Sequence, residues 1–323
     1  MAHLPSISII TPTLNQGNFI AQTIDSVLAQ KYPALEYLVI DGGSTDQTLA
    51  VLREYESNLT WSSEADSGQS AAINKGWRRA SGEILAWLNS DDLLRPDAIQ
   101  TITTIFQESP ETVMVYGGAD FIDAEGEIIS QYPTGNWRYS NLLKNVTNFL
   151  PQPSVFIRRE AIARAGWLDE SLHYLMDYDL FLRVGLEGKV QQSPATLSAM
   201  RLHADAKSLR ALRGFGAEMV SVIERTFDSG KLPEELLAYR AEAMRKALLY
   251  AASTTYWGGD VKQARAWLTQ CWQQTAWPQI PASLIRLSLL SALGQPGLKL
   301  AERWPGNPFT RTLVQQKETR ATS

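Results

Sequence analysis

Ile84-Leu85-Ala86-Trp87-Leu88 runs straight into Asn89-Ser90-Asp91-Asp92, an unbroken apolar segment that ends on polar and acidic groups. A short apolar run without alternation reads as a strand buried on both faces. The surrounding segments repeat the pattern. Upstream, Ser6-Ile7-Ser8-Ile9-Ile10-Thr11 is rich in β-branched residues and stops at Pro12, and Tyr37-Leu38-Val39-Ile40 is broken at once by Asp41-Gly42-Gly43-Ser44. Downstream, Val113-Met114-Val115-Tyr116, Val155-Phe156-Ile157 and Ala195 to Met200 read as further strands. Helical patterns lie between them. Phe19, Ile20, Ile24, Val27 and Leu28 predict an amphipathic helix over residues 18–30. Ser44 or Thr45 is expected to cap a helix carrying Leu49, Val51 and Leu52, a further helix covers Ile73 to Ala80, and Pro96-Asp97 opens another. Strand alternating with helix predicts an α/β fold with a mostly parallel sheet, Rossmann-like, covered by helices on both faces. In such sheets ligands bind beyond the carboxyl ends of the strands. Polar residues gather at three of those ends: Thr13 and Asn15, then Asp41, then Asp91 and Asp92.

Composition narrows the class. With 44% hydrophobic and 20% charged residues among 323, the chain is neither disordered nor fibrous. A net charge of −4 argues against a nucleic-acid binder with a broad basic face. The single cysteine, Cys271, excludes an internal disulfide framework and a cysteine-based zinc site, and it suits a reducing cytosol. No stretch reaches the ~18 unbroken apolar residues of a membrane span, and Met1-Ala2-His3-Leu4-Pro5 has no basic segment leading into an apolar core. A soluble, cytoplasmic protein is the expectation. From about Asp205 the texture changes: strand-like runs vanish, and helical periods appear in Leu236 to Tyr250 and Val261 to Trp272, separated by Gly258-Gly259-Asp260. The chain is therefore divided into an α/β domain, residues 1–205, and a helical bundle, residues 206–323, ending in a frayed tail from Gln315 to Ser323. Leu284, Ile285, Leu287, Leu289, Leu290 and Leu293 include more than one helical face, so core burial is their default role, with self-association and peripheral membrane contact left open.

Several clusters carry possible chemistry. A carboxylate pair on a loop after a buried strand, Asp91 and Asp92, suits a hard divalent cation such as Mg²⁺ or Mn²⁺ that takes its other ligands from substrate phosphates and water. The alternative is that the pair caps the helix near Pro96. Asp177-Tyr178-Asp179 opens an apolar helical segment, where the acids either complement the helix dipole or hold a general base at a pocket edge. His203 follows the last strand and reads as a ligand, a phosphate donor or a satisfied structural histidine. Asp66-Ser67-Gly68-Gln69-Ser70 enters a helix carrying Asn74-Lys75-Gly76, without the spacing of either standard nucleotide fingerprint.

Taken in order, Thr11-Pro12-Thr13-Leu14-Asn15, Asp41-Gly42-Gly43-Ser44-Thr45-Asp46, Asp66 with Asn74-Lys75-Gly76, Asn89-Ser90-Asp91-Asp92, Asp177-Tyr178-Asp179-Leu180 and His203 resemble the family 2 glycosyltransferases with the GT-A fold. The resemblance covers about residues 5–205. It implies an inverting enzyme that uses a nucleoside-diphosphate sugar, with a UDP-sugar favoured, and a glycan or lipid-linked glycan acceptor in cell-surface polysaccharide assembly. Thr11, Pro12, Thr13, Asn15, Asp41, Asp66, Asn74, Lys75, Asn89 and Ser90 fall at nucleotide-sugar positions. Asn89-Ser90-Asp91 matches the D-x-D signature with Asn in place of the first acid, so Asp91, then Asp92, with His203, would hold Mn²⁺ or Mg²⁺. Asp177 matches the catalytic acid of the "ED" motif, with Met176 where Glu is usual. Gln152, Trp167 and Tyr174 are placed on the acceptor side, although a core role for either aromatic is an equal alternative. Two other readings compete. A sugar nucleotidyltransferase would carry a basic Gly-rich loop after the first strand, where this chain has Leu14-Asn15-Gln16-Gly17-Asn18. A catalytically silent binding scaffold would need no intact Asp91, Asp177 and His203.

Overall fold

The computed structural model describes residues 4–203, 212–275 and 280–294. The first part runs β1 (Ile7–Thr13), α1 (Ile20–Leu28), β2 (Leu35–Asp41), α2 (Thr48–Glu54), β3 (Thr60–Ser63), α3 (Gln69–Arg79) and β4 (Ile84–Trp87). It continues through β5 (Leu93–Leu94), α4 (Ala98–Glu108), β6 (Thr112–Ile122), β7 (Ile128–Gln131), α5 (Tyr139–Asn145), β8 (Val155–Arg158), α6 (Arg159–Ala165), α7 (Met176–Val184) and β9 (Lys189–Arg201). Five helices follow: α8 (Leu212–Asp228), α9 (Glu234–Leu237), α10 (Arg240–Trp257), α11 (Val261–Gln273) and α12 (Ala282–Ala292).

The strands form one sheet in the order β3-β2-β1-β4-β8-β6-β9-β5, with β7 also paired to β6. From β3 to β4 all neighbours are parallel, and β1, β2 and β4 are the near-continuous apolar runs, while β3 is the polar edge strand Thr60-Trp61-Ser62-Ser63. The expectation of a mostly parallel sheet needs correction beyond β4. There β8 lies antiparallel to both β4 and β6, β5 antiparallel to β9 and β7 antiparallel to β6, so the sheet is mixed. The reason is directional. The chain returns from β7 and α5 at the carboxyl end of β4, where Gln152 already touches Trp87, so β8 must run back down the sheet.

Order fixes the crevice. The chain steps outward from β1 to β2 to β3, then α3 carries it back to β4 on the other side of β1. That reversal opens a cleft beyond the carboxyl ends of β1 and β4, where an α/β sheet takes its ligands. Thr13 on β1 is in register with Asp41 on β2, and Asp41 with Ser63 on β3. Helix α3 lies hard against β1: a Cβ on Gly76 would come within 2.5 Å of Ile10 Cγ2.

Two apolar clusters sandwich the sheet, one under α1, α2 and α4, the other under α3, α5, α6 and α7. The second cluster continues without a break into Met219, Val222 and Ile223 of α8 and Ala243, Ala247 and Leu248 of α10. On α12, Leu284 and Leu287 are buried, while Ile285, Leu289 and Leu293 face outward, so only one face of that helix joins the core. The cap expected at Ser44 or Thr45 is also different. Helix α2 begins at Thr48, whose amide donates to Asp46 Oδ1 (2.9 Å), because the Ser44 hydroxyl is taken by Asp41. The expected tail from Gln315 to Ser323 lies outside the described residues. Among the described residues no helix is long and apolar enough to cross a membrane.

Candidate active site

The loop after β4 and the end of β9 meet at the crevice. Arg201, 3% exposed, laces them together. Its amide donates to Asp92 Oδ1 (3.0 Å), its Nε to the Asp91 carbonyl (2.9 Å), and its Nη atoms to the carbonyls of Asp123 and Ala124 and to Gln22 Oε1. This lacing brings His203 to Asp91, with Nε2 3.0 Å from Oδ2. The imidazole packs on Phe19 with ring centroids 4.8 Å apart. Asp91 keeps a partly exposed carboxylate, and His203 is nearly buried. Together they offer an oxygen and a nitrogen at one point. Among the described residues no three His, Cys, Asp or Glu side chains are placed to hold a metal ion together, so two protein ligands would leave the remaining positions to substrate and water, as small divalent cations prefer.

Asp92 does not join them. It is 4% exposed and faces inward, with Oδ1 on the Arg201 amide and Oδ2 accepting from Asn89 Nδ2 (3.1 Å). Burial, with the Asp91 charge beside it, pushes its carboxyl well above the usual range. Both Asp92 oxygens thus brace the loop, while Asp91 is the acid that meets His203.

The polar residues at the ends of β1 and β2 also divide. Thr13, the last residue of β1, has its Oγ1 buried with no hydrogen-bond partner among the described residues. Asp66 is exposed, and its carboxylate lies over Gly42, where a Cβ would come within 3.0 Å of Oδ2. Asp66 Oδ1 also accepts from the Gly68 amide (2.8 Å), and the others are engaged more fully within the protein. Thr11 is fully buried against the Tyr37 hydroxyl (3.0 Å), and Pro12 beside it is buried in β1. Asn15, at φ 53°, accepts from the amides of Thr45 (2.8 Å) and Asp46 (3.3 Å), tying the first loop to the second. Asp41 is 0% exposed; its carboxylate accepts from the amides of Gly43 and Ser44 and from the hydroxyls of Ser44 and Ser63. Asp41 thus organises the turn that follows β2. Asn74 spends its amide on Leu168 and Glu170, and Lys75 pairs with Glu64, so neither reaches the crevice. Ser90 is buried within the loop.

Asn89 sits at the centre of a polar chain. Its Oδ1 accepts from Gln69 Nε2 (2.7 Å), and its Nδ2 donates to Asp92 and to Gln152 Oε1 (3.2 Å). Gln152 in turn donates to the Trp87 carbonyl (2.8 Å) and so braces Asn89. An aspartate at 89 could not donate to Asp92, so the amide is what this arrangement requires.

Asp177 stands in the first turn of α7. The first turn of α3 connects it to the loop after β4: Gln69 holds Asn89, and Ser70 Oγ reaches Met176 Sδ at 2.8 Å. Asp91 and Asp177 thus lie at the same end of the molecule. Asp177 Oδ1 accepts from the Tyr178 amide (2.8 Å) and Oδ2 from Asn148 Nδ2 (2.9 Å). Recessed among protein groups, the carboxyl rises to about 6; burial is the main cause, Asp179 adds to it, and the hydrogen bonds oppose it. The Tyr132 and Tyr250 hydroxyls, raised chiefly by burial, also feel the Asp177 charge. Asn148 escaped the sequence reading, having no motif to mark it. Trp167 and Tyr174 do not face this recess. Trp167 packs on Trp77 (6.3 Å) and beneath Arg78, at the far ends of α3 and α7, with its carbonyl held by Arg183. Tyr174 stacks on Phe215 of α8.

Residues 8–166 match the family model described as glycosyl transferase family 2. An uncharacterised glycosyltransferase of Rickettsia typhi is 32% identical over 195 residues, 56% of this chain and 59% of that protein. S. aureus TarS 1-349, solved with UDP-GlcNAc, superposes with a TM-score of 0.65 at 16% identity, covering 91% of this chain and 88% of that one. A mannosyltransferase from Pyrobaculum calidifontis, solved with GDP-Man and Mn²⁺, gives 0.59 at 19% identity, covering 92% and 83%. At these identities the two structures establish a shared GT-A fold.

Proposed function

Since residues 8–166 place the chain in glycosyl transferase family 2, we propose that it moves a sugar from a nucleoside diphosphate, UDP first among the candidates, to an acceptor hydroxyl with inversion at the anomeric carbon. The observation that carries this reading is Asp177: a recessed carboxylate raised to about 6, at the same end of the molecule as the Asp91–His203 pair. A general base works best with a pKa near the operating pH. Asp177 takes the proton from the acceptor hydroxyl as that oxygen bonds to the anomeric carbon. The bond from that carbon to the diphosphate breaks on the opposite face, and the nucleoside diphosphate leaves. Asp91 and His203 fit a divalent cation, Mn²⁺ or Mg²⁺, by donor type and spacing; when bound, such an ion stabilises charge on the departing diphosphate. Thr13 offers an unspent hydroxyl and Asp66 an exposed carboxylate to the nucleoside.

The two structural neighbours were solved with UDP-GlcNAc and with GDP-Man, both nucleoside-diphosphate sugars, the second also with Mn²⁺. They support the donor class and the cation while leaving the base to experiment. A glycan or lipid-linked glycan acceptor, in cell-surface polysaccharide assembly at the cytoplasmic face of a membrane, is the setting that family membership suggests. The test is nucleotide release from UDP-, GDP- and dTDP-sugars with Mn²⁺ or EDTA, in wild type and Asp177→Asn. Turnover with Mn²⁺ that is lost in the variant supports the reading. Tight nucleotide binding with no turnover of any donor would replace it with a binding scaffold.

A further inference from the structure

Helix α8 runs along the segment that carries Asp177 and grips it at three places. Near its start, a Cβ on Gly214 would lie 2.0 Å from Tyr174 Cε2, so only glycine lets that ring settle on the helix. The Tyr174 ring then stacks on Phe215 with centroids 4.8 Å apart. One turn on, the Glu218 carboxylate accepts from three consecutive amides: His173 (2.7 Å) at Oε1, and Tyr174 (2.8 Å) and Leu175 (3.0 Å) at Oε2. Two turns further, Arg225 donates to Asp169 Oδ2 (2.5 Å) and Asp179 Oδ1 (2.7 Å), while the other Asp179 oxygen is held by Arg183. Residues 214, 218 and 225 are four and seven apart and share one helical face.

The grip brackets the base. The amides held by Glu218 end at Leu175, the residue before α7, and Arg225 holds Asp179, two residues beyond Asp177. Amides entering a helix have no intrahelical acceptor, and a carboxylate there gains both charge-assisted bonds and the helix dipole. We propose that α8 is a clamp that sets the position of Asp177, with Glu218 and Arg225 as positioning residues for the transfer step. The helical region then belongs to the catalytic apparatus. This inference rests on Asp177 as the base, and it predicts sensitivity because a misplacement of about 1 Å at a reacting group costs roughly 10²-fold in rate.

The full chain is compared with Glu218→Ala, Glu218→Gln and, as a control on the same helix, Asp228→Asn, which breaks the exposed Asp228–Arg240 ion pair. Two readouts are taken: kcat and KM on whichever donor wild type turns over, and hydrogen exchange of residues 170–178 without substrate. In Glu218→Ala exchange at 173–175 is expected to speed at least tenfold. Its kcat should fall roughly 10²-fold with donor KM within about twofold, Glu218→Gln being intermediate and Asp228→Asn unchanged. Full kcat in Glu218→Ala overturns the clamp, as does an equal loss in Asp228→Asn, which would mean general loosening. If Asp177→Asn is dead while Glu218→Ala is fully active, the clamp fails and the base assignment stands. If Asp177→Asn remains active, the base assignment is what fails.

Discussion

Replacing Asn148 by alanine removes the amide that donates to Asp177 Oδ2 at 2.9 Å, and it should move the acid limb of the activity profile without changing the plateau. A hydrogen bond to a charged acceptor contributes about 1.5–3 kcal/mol. Asp177 keeps some contact with solvent, so water replaces part of that and the low end applies. At 1.36 kcal/mol per tenfold change in protonation, the limb should rise by about one pH unit. The sign follows from the role: the base acts deprotonated, the amide favours the charged form, and its loss costs activity on the acid side. Wild type should lose half its kcat/KM near pH 6, where the carboxyl titrates. The variant should run about fivefold below wild type at that pH and match it near pH 8.5. The assay is nucleotide release between pH 5 and 8.5 at saturating Mn²⁺. A uniform drop with an unmoved limb would refute the argument, since it would make Asn148 a packing residue. An unchanged profile would detach the limb from Asp177 altogether.

Other outcomes follow from the same geometry. Asp91→Asn should cut turnover by roughly a hundredfold and weaken activation by Mn²⁺, as expected when a ligand to a charge-stabilising ion is lost; Mn²⁺ titration checks it. Asp177→Asn should stabilise the fold at pH 8, by about 1–3 kcal/mol, because the native carboxyl titrates about two units above its ordinary value and ionising it there is costly. That gain should shrink as pH falls through 6 towards 4, where the wild-type group is protonated too; denaturant melts at the two pH values test it. Gly76→Ala forces a Cβ to within 2.5 Å of Ile10 Cγ2 and should cost about 1–3 kcal/mol in thermal unfolding.

Much of the α/β part was legible in the residues. Unbroken apolar runs marked β1, β2 and β4, and the polar groups at their ends marked the crevice, because both follow from local pattern, whereas β3, Thr60-Trp61-Ser62-Ser63, has no such run and was missed. The order of motifs brought out Asp91, His203 and Asp177. What the pattern could not give is direction and partnership. The antiparallel course of β8 depends on where the chain returns, and the partners of Asp92, Asn74 and Gln152 lie far along the sequence. Asn148 and Glu218 look like ordinary surface residues until the fold sets Asp177 and the α7 amides beside them.

One measurement reaches the central claim directly: a crystal structure of Asp177→Asn soaked with Mn²⁺ and the donor that wild type turns over. The account predicts Mn²⁺ on Asp91 and His203, the diphosphate on the metal, and residue 177 facing the anomeric carbon from the side away from the leaving group. A nucleotide seated away from the β1–β4 crevice, or residue 177 on the same side as the diphosphate, would contradict it.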